Sequence, residues 1–454
     1  MKNNHPKTLL DTSIKGHRYI LATFWNHPFQ KSIQKGLSKR GATLISKNDV
    51  VDEIHSMKNL DQYSKKEKFN GILIPSSENP KDNEWLASIL KCPIYTELDF
   101  AQQILNTPLI AITGTNGKTS TTEMLTQGLK NLGLKVKDFL NFERSLLELT
   151  KNDLDFAILE CWSSQLEFCH SFAPKIAVLL NLDPDHIDQH GSFNNYKLSK
   201  SKIFLNQKKD DILIYNFEDL NVLNLLHQFS KKGGLPIGFG RKKPSKEITN
   251  ALYLHENEIY WRKEGKDQKI MPLPSWPNWG PHFLSNRLAT LAVVQSQNWD
   301  LQAFSQHISS YKIRSYRQEI LNPKNKIQFV NDALSTTPHA AQAALERFLK
   351  KPPLVWITGG MDKKITFSPF CNWLTNQPSF KIIILGKQLQ FEKELKKFDI
   401  PFQSESNLPN AVKKAKSLIS PKGTILFSPI GSPEDLFSDV HDRGAQFNKA
   451  VQNL

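Results

Sequence analysis

The chain has 454 residues, more than one ordinary hydrophobic core accommodates, so two or three domains are expected. Its 39% hydrophobic and 23% charged content describe a soluble globular protein, and no apolar run reaches the ~20 residues of a membrane span. The net charge of +15 sits on lysines scattered in small groups, Lys65-Lys66, Lys208-Lys209, Lys242-Lys243 and Lys413-Lys414, with no aromatic-interleaved RNA-binding signature. Nucleic acid is therefore not expected as a partner.

Met1 to Lys7 leads only to a short apolar run, Tyr19 to Trp25, without a small-residue cleavage site, so no secretory leader and a cytoplasmic location are expected. Cys92, Cys161, Cys169 and Cys371 have neither metal nor redox spacing and read as buried thiols. Residues 1–104 alternate strand-like and helix-like pieces. Strands are predicted at Tyr19–Ala22, Ala42–Ile45 and Gly71–Ile74, and helices from Pro28 to Arg40 and from Asp82 to Leu90. That pattern predicts a small doubly wound, Rossmann-like domain. Its first turn, Thr23 to Pro28, holds no glycine, so the dinucleotide fingerprint is absent.

A second region opens at residue 105. An apolar segment, Pro108 to Ile112, runs into Thr113-Gly114-Thr115-Asn116-Gly117-Lys118-Thr119-Ser120, and a helix is predicted from Thr121 to Leu132. Strand, glycine turn and helix N-terminus make an anion cradle of converging backbone N–H groups. Gly114 and Gly117 remove side chains that would block a phosphate. Lys118 can reach its terminal oxygens, and the Thr119 hydroxyl can face Mg²⁺. The spacing is a short variant of the full pattern, with Ile112 where a glycine would stand. We read it as nucleoside triphosphate binding.

Phe156–Leu159 and Ile176–Leu180 read as buried parallel strands ending in polar clusters, Glu160 and Asn181 to His186. Glu160 and Thr119 are hard oxygen ligands suited to Mg²⁺. A further strand is predicted at Asp211–Tyr215, turns with short β-like pieces over Lys231–Pro281, and a helix from Phe283 to Gln295. From residue 313 a third α/β unit is predicted, with strands at Pro353–Thr358, Lys381–Leu385 and Thr424–Phe427.

Five stretches follow one another in an order and spacing that resembles the Mur ligase family. They are Gly114 to Thr119; Leu159-Glu160 with Ser163 and Gln165 to Glu167; Asn181 to Asp188; Tyr196 to Lys200; and Asn331-Asp332 with Thr336 to Pro338. The resemblance implies an α/β fold of three domains. These are a Rossmann-like uridine-nucleotide domain (1–104), a P-loop ATPase-like central domain (105–312) and a Rossmann-like amino-acid domain (313–454). It implies an ATP-dependent amide ligase of peptidoglycan precursor synthesis that adds D-glutamate to UDP-N-acetylmuramoyl-L-alanine through an acyl phosphate, as a monomer working on small molecules. Gly114, Thr115, Asn116, Gly117, Lys118, Thr119, Ser120, Asn286, Arg317 and Asp332 would bind ATP, with Gly280 and His282 also on the adenine side. Asn141, Thr336 and Lys363 would bind substrate. Thr119, Glu160, His186 and Lys200 would serve two Mg²⁺ sites, Lys200 as a carbamate, and Lys118, His186 and Lys200 would carry catalysis.

The chain departs from the family at several of these places. Trp25, His27 and Gln30 stand where the first-domain loop has glycines, so uracil is expected to stack on Phe24 or Trp25. Trp162 replaces a small hydroxyl residue, Leu140 a glycine, and Phe283 an asparagine. Leu334 stands where some relatives have a lysine. Pro433 occupies a position that can bind the side-chain carboxylate of glutamate. Two rival readings follow: a ligase of the same fold with another amino acid, and a catalytically silent nucleotide-binding paralogue in a cell-wall complex.

Overall fold

The structure is a computed structural model that describes residues 14–22, 28–56, 68–74, 80–140, 144–149, 154–229, 233–277, 280–321, 326–349, 352–361, 365–387, 389–419 and 421–454. Phe24, Trp25, His27, Asn141 and Lys363 lie outside them, as does the side chain of Gln30. The chain has an α/β fold with three parallel-rich sheets. It divides into two compact units. One comprises residues 1–182, 197–275 and 286–309, the other residues 183–196, 276–285 and 310–454.

The first unit contains two sheets. The smaller joins β1 (Arg18–Leu21), β2 (Thr43–Ser46), β3 (Gly71–Ile74) and β4 (Ile94–Thr96) in the order β2-β1-β3-β4, all parallel. The helix Glu97–Ile104 then begins where the Thr96 hydroxyl accepts from the Asp99 N–H at 3.2 Å, with Glu97 and Asp99 facing the positive end of the helix.

The larger sheet contains β5 (Leu109–Thr113), β6 (Val136–Phe139), β7 (Phe156–Glu160), β8 (Ile176–Leu179), β9 (Ile212–Asn216), β10 (Leu235–Gly240), β11 (Ala251–His255), β12 (Glu258–Lys263) and β13 (Lys266–Pro272). Their order is β13-β12-β11-β10-β9-β8-β5-β7-β6. β5 and β8 are buried along their whole length, as continuous apolar strands with both faces covered must be. The stretch expected to hold turns and short β pieces, 231–281, supplies four short strands. β10 and β11 extend the parallel sheet and β12 and β13 close it as an antiparallel hairpin. β10 joins them to the rest of the sheet by pairing with β9.

The chain leaves β5 toward β6 on one side and later returns to place β8 on the other. β5 therefore stands at a topological switch, where an open α/β sheet leaves a crevice at the carboxyl ends of its strands. The helix after β5 starts at Lys118 rather than Thr121 and runs to Asn131. Gly117 is its N-cap at φ +88, so the left-handed turn sits one residue before Lys118 and the first helical turn begins at the lysine.

The second unit contains β14 (Glu319–Leu321), β15 (Ile327–Asn331), β16 (Leu354–Gly359), β17 (Lys381–Leu385), β18 (Gln403–Glu405) and β19 (Gly423–Phe427). They are ordered β14-β15-β19-β16-β17-β18, parallel except for β14. β19 lies between β15 and β16, which brings the loops after these three strands to one edge. All four cysteines are free and buried. Among the described residues no helix is long and apolar enough to cross a membrane.

Candidate active site

The loop after β5 is held by its neighbour strand. At the end of β8, Asn181 accepts the Thr115 N–H on its carbonyl at 2.9 Å and the Asn116 N–H on Oδ1 at 2.8 Å, and donates Nδ2–H to the Asn116 carbonyl at 2.9 Å. Three hydrogen bonds from one residue fix the cradle. In the sequence Asn181 reads only as part of a polar cluster. A Cβ on Gly117 would lie 2.5 Å from Asn286 Oδ1, so the missing side chain is what lets Asn286 pack on the loop. Gly114 and Thr115 are buried, whereas Asn116 to Ser120 are half-buried. Thr119 and Ser120 lie in the first turn of the helix.

Lys118 Nζ donates to the Gly114 and Thr115 carbonyls, both at 3.0 Å, and lies 5.5 Å from the centre of the Trp162 ring. The Gln165 side chain accepts the backbone N–H of Trp162 at 2.9 Å. The sequence marks Trp162 only as a departure. The fold sets its ring against the loop lysine.

β5 and β7 pair in parallel with Ile112 opposite Glu160, so the carboxylate stands beside the start of the loop. Glu160 is 2% exposed, and its Oε2 has no hydrogen-bond partner among the described residues. A carboxylate oxygen is costly to bury unpaired, and a cation is the partner its chemistry asks for. Among the described residues no three His, Cys, Asp or Glu side chains converge. One carboxylate and a threonine hydroxyl suit Mg²⁺, which keeps waters and nucleotide phosphates as its other ligands. The residues present fit the ion.

Lys200 does not share a solvated basic face with Lys197 and Lys202. It is 1% exposed, donates to the Gly114 carbonyl at 2.9 Å, and lies 3.3 Å from Thr113 Oγ1. The first unit thus brings together Gly114 to Ser120, Glu160, Lys200 and Asn286, with Asn181 and Trp162 added by the fold.

His186, Arg317, Asp332 and Thr336 belong to the second unit. His186 adopts φ +50 and caps a short helical turn, its backbone N–H bonded to Asp185 Oδ1 at 3.0 Å and its Nε2 3.5 Å from Oδ2. Asp332 is buried and accepts from the Ser428 hydroxyl at 2.7 Å and the Gln318 N–H at 3.1 Å. Burial pushes its carboxyl up to about 6, against the lowering effects of Ser428 and the Arg317 charge. Arg317 donates to the Leu334 carbonyl at 3.2 Å. Gln318 Nε2 lies 3.3 Å from His282 Nε2, and its Oε1 accepts from Arg347 at 3.1 Å. Thr336 directly precedes Thr337, whose hydroxyl caps the helix Pro338–Phe348.

Residues 112–294 match the profile of the Mur ligase middle domain. The chain is 31% identical over 400 residues to the UDP-N-acetylmuramoylalanine--D-glutamate ligase of Thermoanaerobacter pseudethanolicus, covering 86% of both proteins. The chain belongs to the Mur ligase family. Another Mur ligase, the UDP-N-acetylmuramoylalanine--D-glutamate ligase of Streptococcus sanguinis, is 29% identical over 388 residues, 84% of this chain and 83% of that protein. The fold is that of solved family members. MurF from Acinetobacter baumannii superposes with a TM-score of 0.60 at 14% identity, covering 88% of this chain and 92% of that one. A pseudomurein peptide ligase type C from Methanothermus fervidus gives 0.60 at 16% identity, with 96% and 99% covered. Mur ligases are ATP-dependent ligases, and this chain is one of them.

Proposed function

We propose that the chain joins D-glutamate to UDP-N-acetylmuramoyl-L-alanine, cleaving ATP to ADP and phosphate. The observation that carries this reading is a buried Glu160 oxygen without a partner among the described residues, beside an intact phosphate loop, in a chain whose relatives are named for that reaction. A carboxylate cannot be attacked by an amine until it has a leaving group. Transfer of the γ-phosphoryl group makes an acyl phosphate, and the amine then displaces phosphate through a tetrahedral intermediate. In that transfer the loop N–H groups hold the phosphates, and Lys118 leaves its two loop carbonyls to follow charge on the moving group. Thr119 and Glu160 would hold one Mg²⁺, which neutralises charge on the transferring phosphoryl group. His186 is the further metal ligand that the family resemblance assigns, and Lys200, as a carbamate, an anionic support.

The domain roles go with this reading: 1–104 for the uridine end, 105–312 for ATP, and 313–454 for the amino acid through Thr336 and Lys363. Asn141 would touch the muramyl part, and Arg317, Asp332 and Asn286 the nucleotide. The enzyme would act as a cytoplasmic monomer. Buried Pro433, which has no hydroxyl to offer a side-chain carboxylate, favours a second reading in which another amino acid is added. The test is phosphate release from ATP with UDP-N-acetylmuramoyl-L-alanine over a panel of L- and D-amino acids, with the amide followed by mass. Turnover with D-glutamate alone supports the proposal. Turnover with a different amino acid selects the second reading, and none with any amino acid overturns both.

A further inference from the structure

The helix Val440–Gln452 starts at Asp439, whose carboxylate accepts the N–H groups of His441 and Asp442. One turn in, it carries Arg443, whose guanidinium is 1% exposed. All four of its hydrogen bonds go to backbone carbonyls. Nε and Nη2 donate to Ala333 at 3.1 and 2.7 Å, Nη2 also to Ser335 at 2.8 Å, and Nη1 to Gly431 at 3.0 Å. Burying a cation among neutral dipoles is expensive. That cost pushes the guanidinium down to about 10 even though Asp435, Glu434 and Asp332 oppose the shift, so it stays charged near neutral pH. An apolar side chain would fill the space at lower cost but could hold no loop.

What Arg443 holds is specific. Ala333 and Ser335 lie in the loop after β15, with Thr336 next in the chain and then fixed from its far side by the Thr337 cap. Gly431 lies in the loop after β19, directly before Ser432 and Pro433. That loop is locked to the one after β16: Met361 and Ser432 exchange N–H···O=C bonds at 2.7 and 3.1 Å. A Cβ on Gly431 would sit 2.3 Å from the Met361 carbonyl oxygen, and one on Gly360 2.7 Å from Gly431, so only glycines allow this backbone approach. One guanidinium therefore joins the loops after β15 and β19, and the Met361–Ser432 pair ties the loop after β16 to the second of them. Asp332 has hydrogen bonds of its own, from Ser428 and Gln318.

We infer that Arg443 is a positioning residue for the incoming amino acid, setting the loop that carries Thr336 against the Gly431–Pro433 loop without touching substrate. This rests on the reading in which the third domain takes the amino acid. Arg443→Lys and Arg443→Ala in the full-length enzyme test it. Lysine keeps the charge but cannot reach three carbonyls from one planar fork. Arg443→Lys is expected to raise KM for D-glutamate at least tenfold. KM for ATP, and the acyl phosphate trapped by borohydride without amine, should stay within twofold. A folded Arg443→Lys enzyme with unchanged KM for D-glutamate overturns the inference, as does one in which both KM values rise together. If both variants fail to fold, the wild-type enzyme decides. With ADP, muramyl substrate and D-glutamate, amide hydrogen exchange in 333–337 and 430–432 should slow together, and slowing in only one stretch or in neither overturns it. A wild-type enzyme that uses another amino acid overturns only the D-glutamate assignment, and the KM split is then read with that amino acid. Ligation with none overturns both.

Discussion

Lys118 and Lys200 both donate to the Gly114 carbonyl, yet they have different neighbours and different expected roles. Lys118 is half-buried on the first turn of its helix, at the mouth of the phosphate loop. Lys118→Ala should lower amide formation by about 10²-fold or more, the usual cost of deleting one donor to developing transition-state charge. Its thermal midpoint should stay near that of the parent, because the half-buried side chain is not part of the apolar core. Activity within a few-fold of wild type would sink the phosphate-loop assignment. Lys200 is fully buried, so Lys200→Ala leaves both a hole and a missing charge. If the lysine works as a carbamate, acetate or formate should restore part of the lost activity in Lys200→Ala and none in Lys118→Ala, where a cation is gone. Loss without rescue would identify the ammonium itself as the working group.

At the scale of elements, the phosphate loop owes its shape to a strand that is its neighbour only in the sheet. Asn181 at the end of β8 ties down Thr115 and Asn116 across more than sixty intervening positions. Asn181→Ala should raise KM for ATP roughly tenfold, the equivalent of about 1.4 kcal/mol, with KM for the amino acid unchanged. Asn181→Asp keeps the acceptor for Asn116 but loses the donor and puts an anion beside the phosphates, so its KM for ATP should be higher still. Equal ATP affinity in all three proteins would show that the loop holds its form without the staple. The strand–loop–helix order was legible in the sequence because alternation from apolar run to glycines to polar helix start is local. The staple was not, because Asn181 as a residue type suits any turn.

At the scale of the molecule, the first sheet is bound to the nine-stranded one through buried polar groups. Glu97, 1% exposed, accepts from the Ser145 hydroxyl and from the Leu146 N–H at 3.1 Å. Ser32 accepts the Ser145 N–H at 2.9 Å, and Arg40 donates to the carbonyls of Leu147 and Leu149. Burial raises the Glu97 carboxyl from its ordinary 4.5 to about 7, partly offset by Ser145 and Leu146. A carboxyl whose folded value is raised stabilises the fold fully below its unfolded value, and that contribution is lost as pH rises through the folded value. Stability should therefore decline between about pH 4.5 and 7 by on the order of 2 kcal/mol from this group. Glu97→Gln, which keeps an acceptor oxygen but does not titrate, should flatten that slope. Parallel pH profiles of the thermal midpoint for the two proteins would refute the assignment.

The residues by themselves determined the α/β alternation, most strands of the three sheets to within a residue or two, the phosphate loop, and the family. Each of these is written in short-range pattern: apolar runs of strand length, glycines at a turn, motifs in a fixed order. Tertiary structure alone decided which strands share a sheet, and so that residues 231–281 extend the central one. It decided that Lys200, one of several lysines on a basic-looking helix, is buried, and that Glu160 keeps an oxygen without a partner among the described residues. It also decided that Trp162 covers Lys118 and that Arg443 joins the loops after β15 and β19. These facts depend on which distant groups fill the space around a side chain. Burial and hydrogen-bond partnership are properties of that surrounding, and no spacing along the chain encodes them.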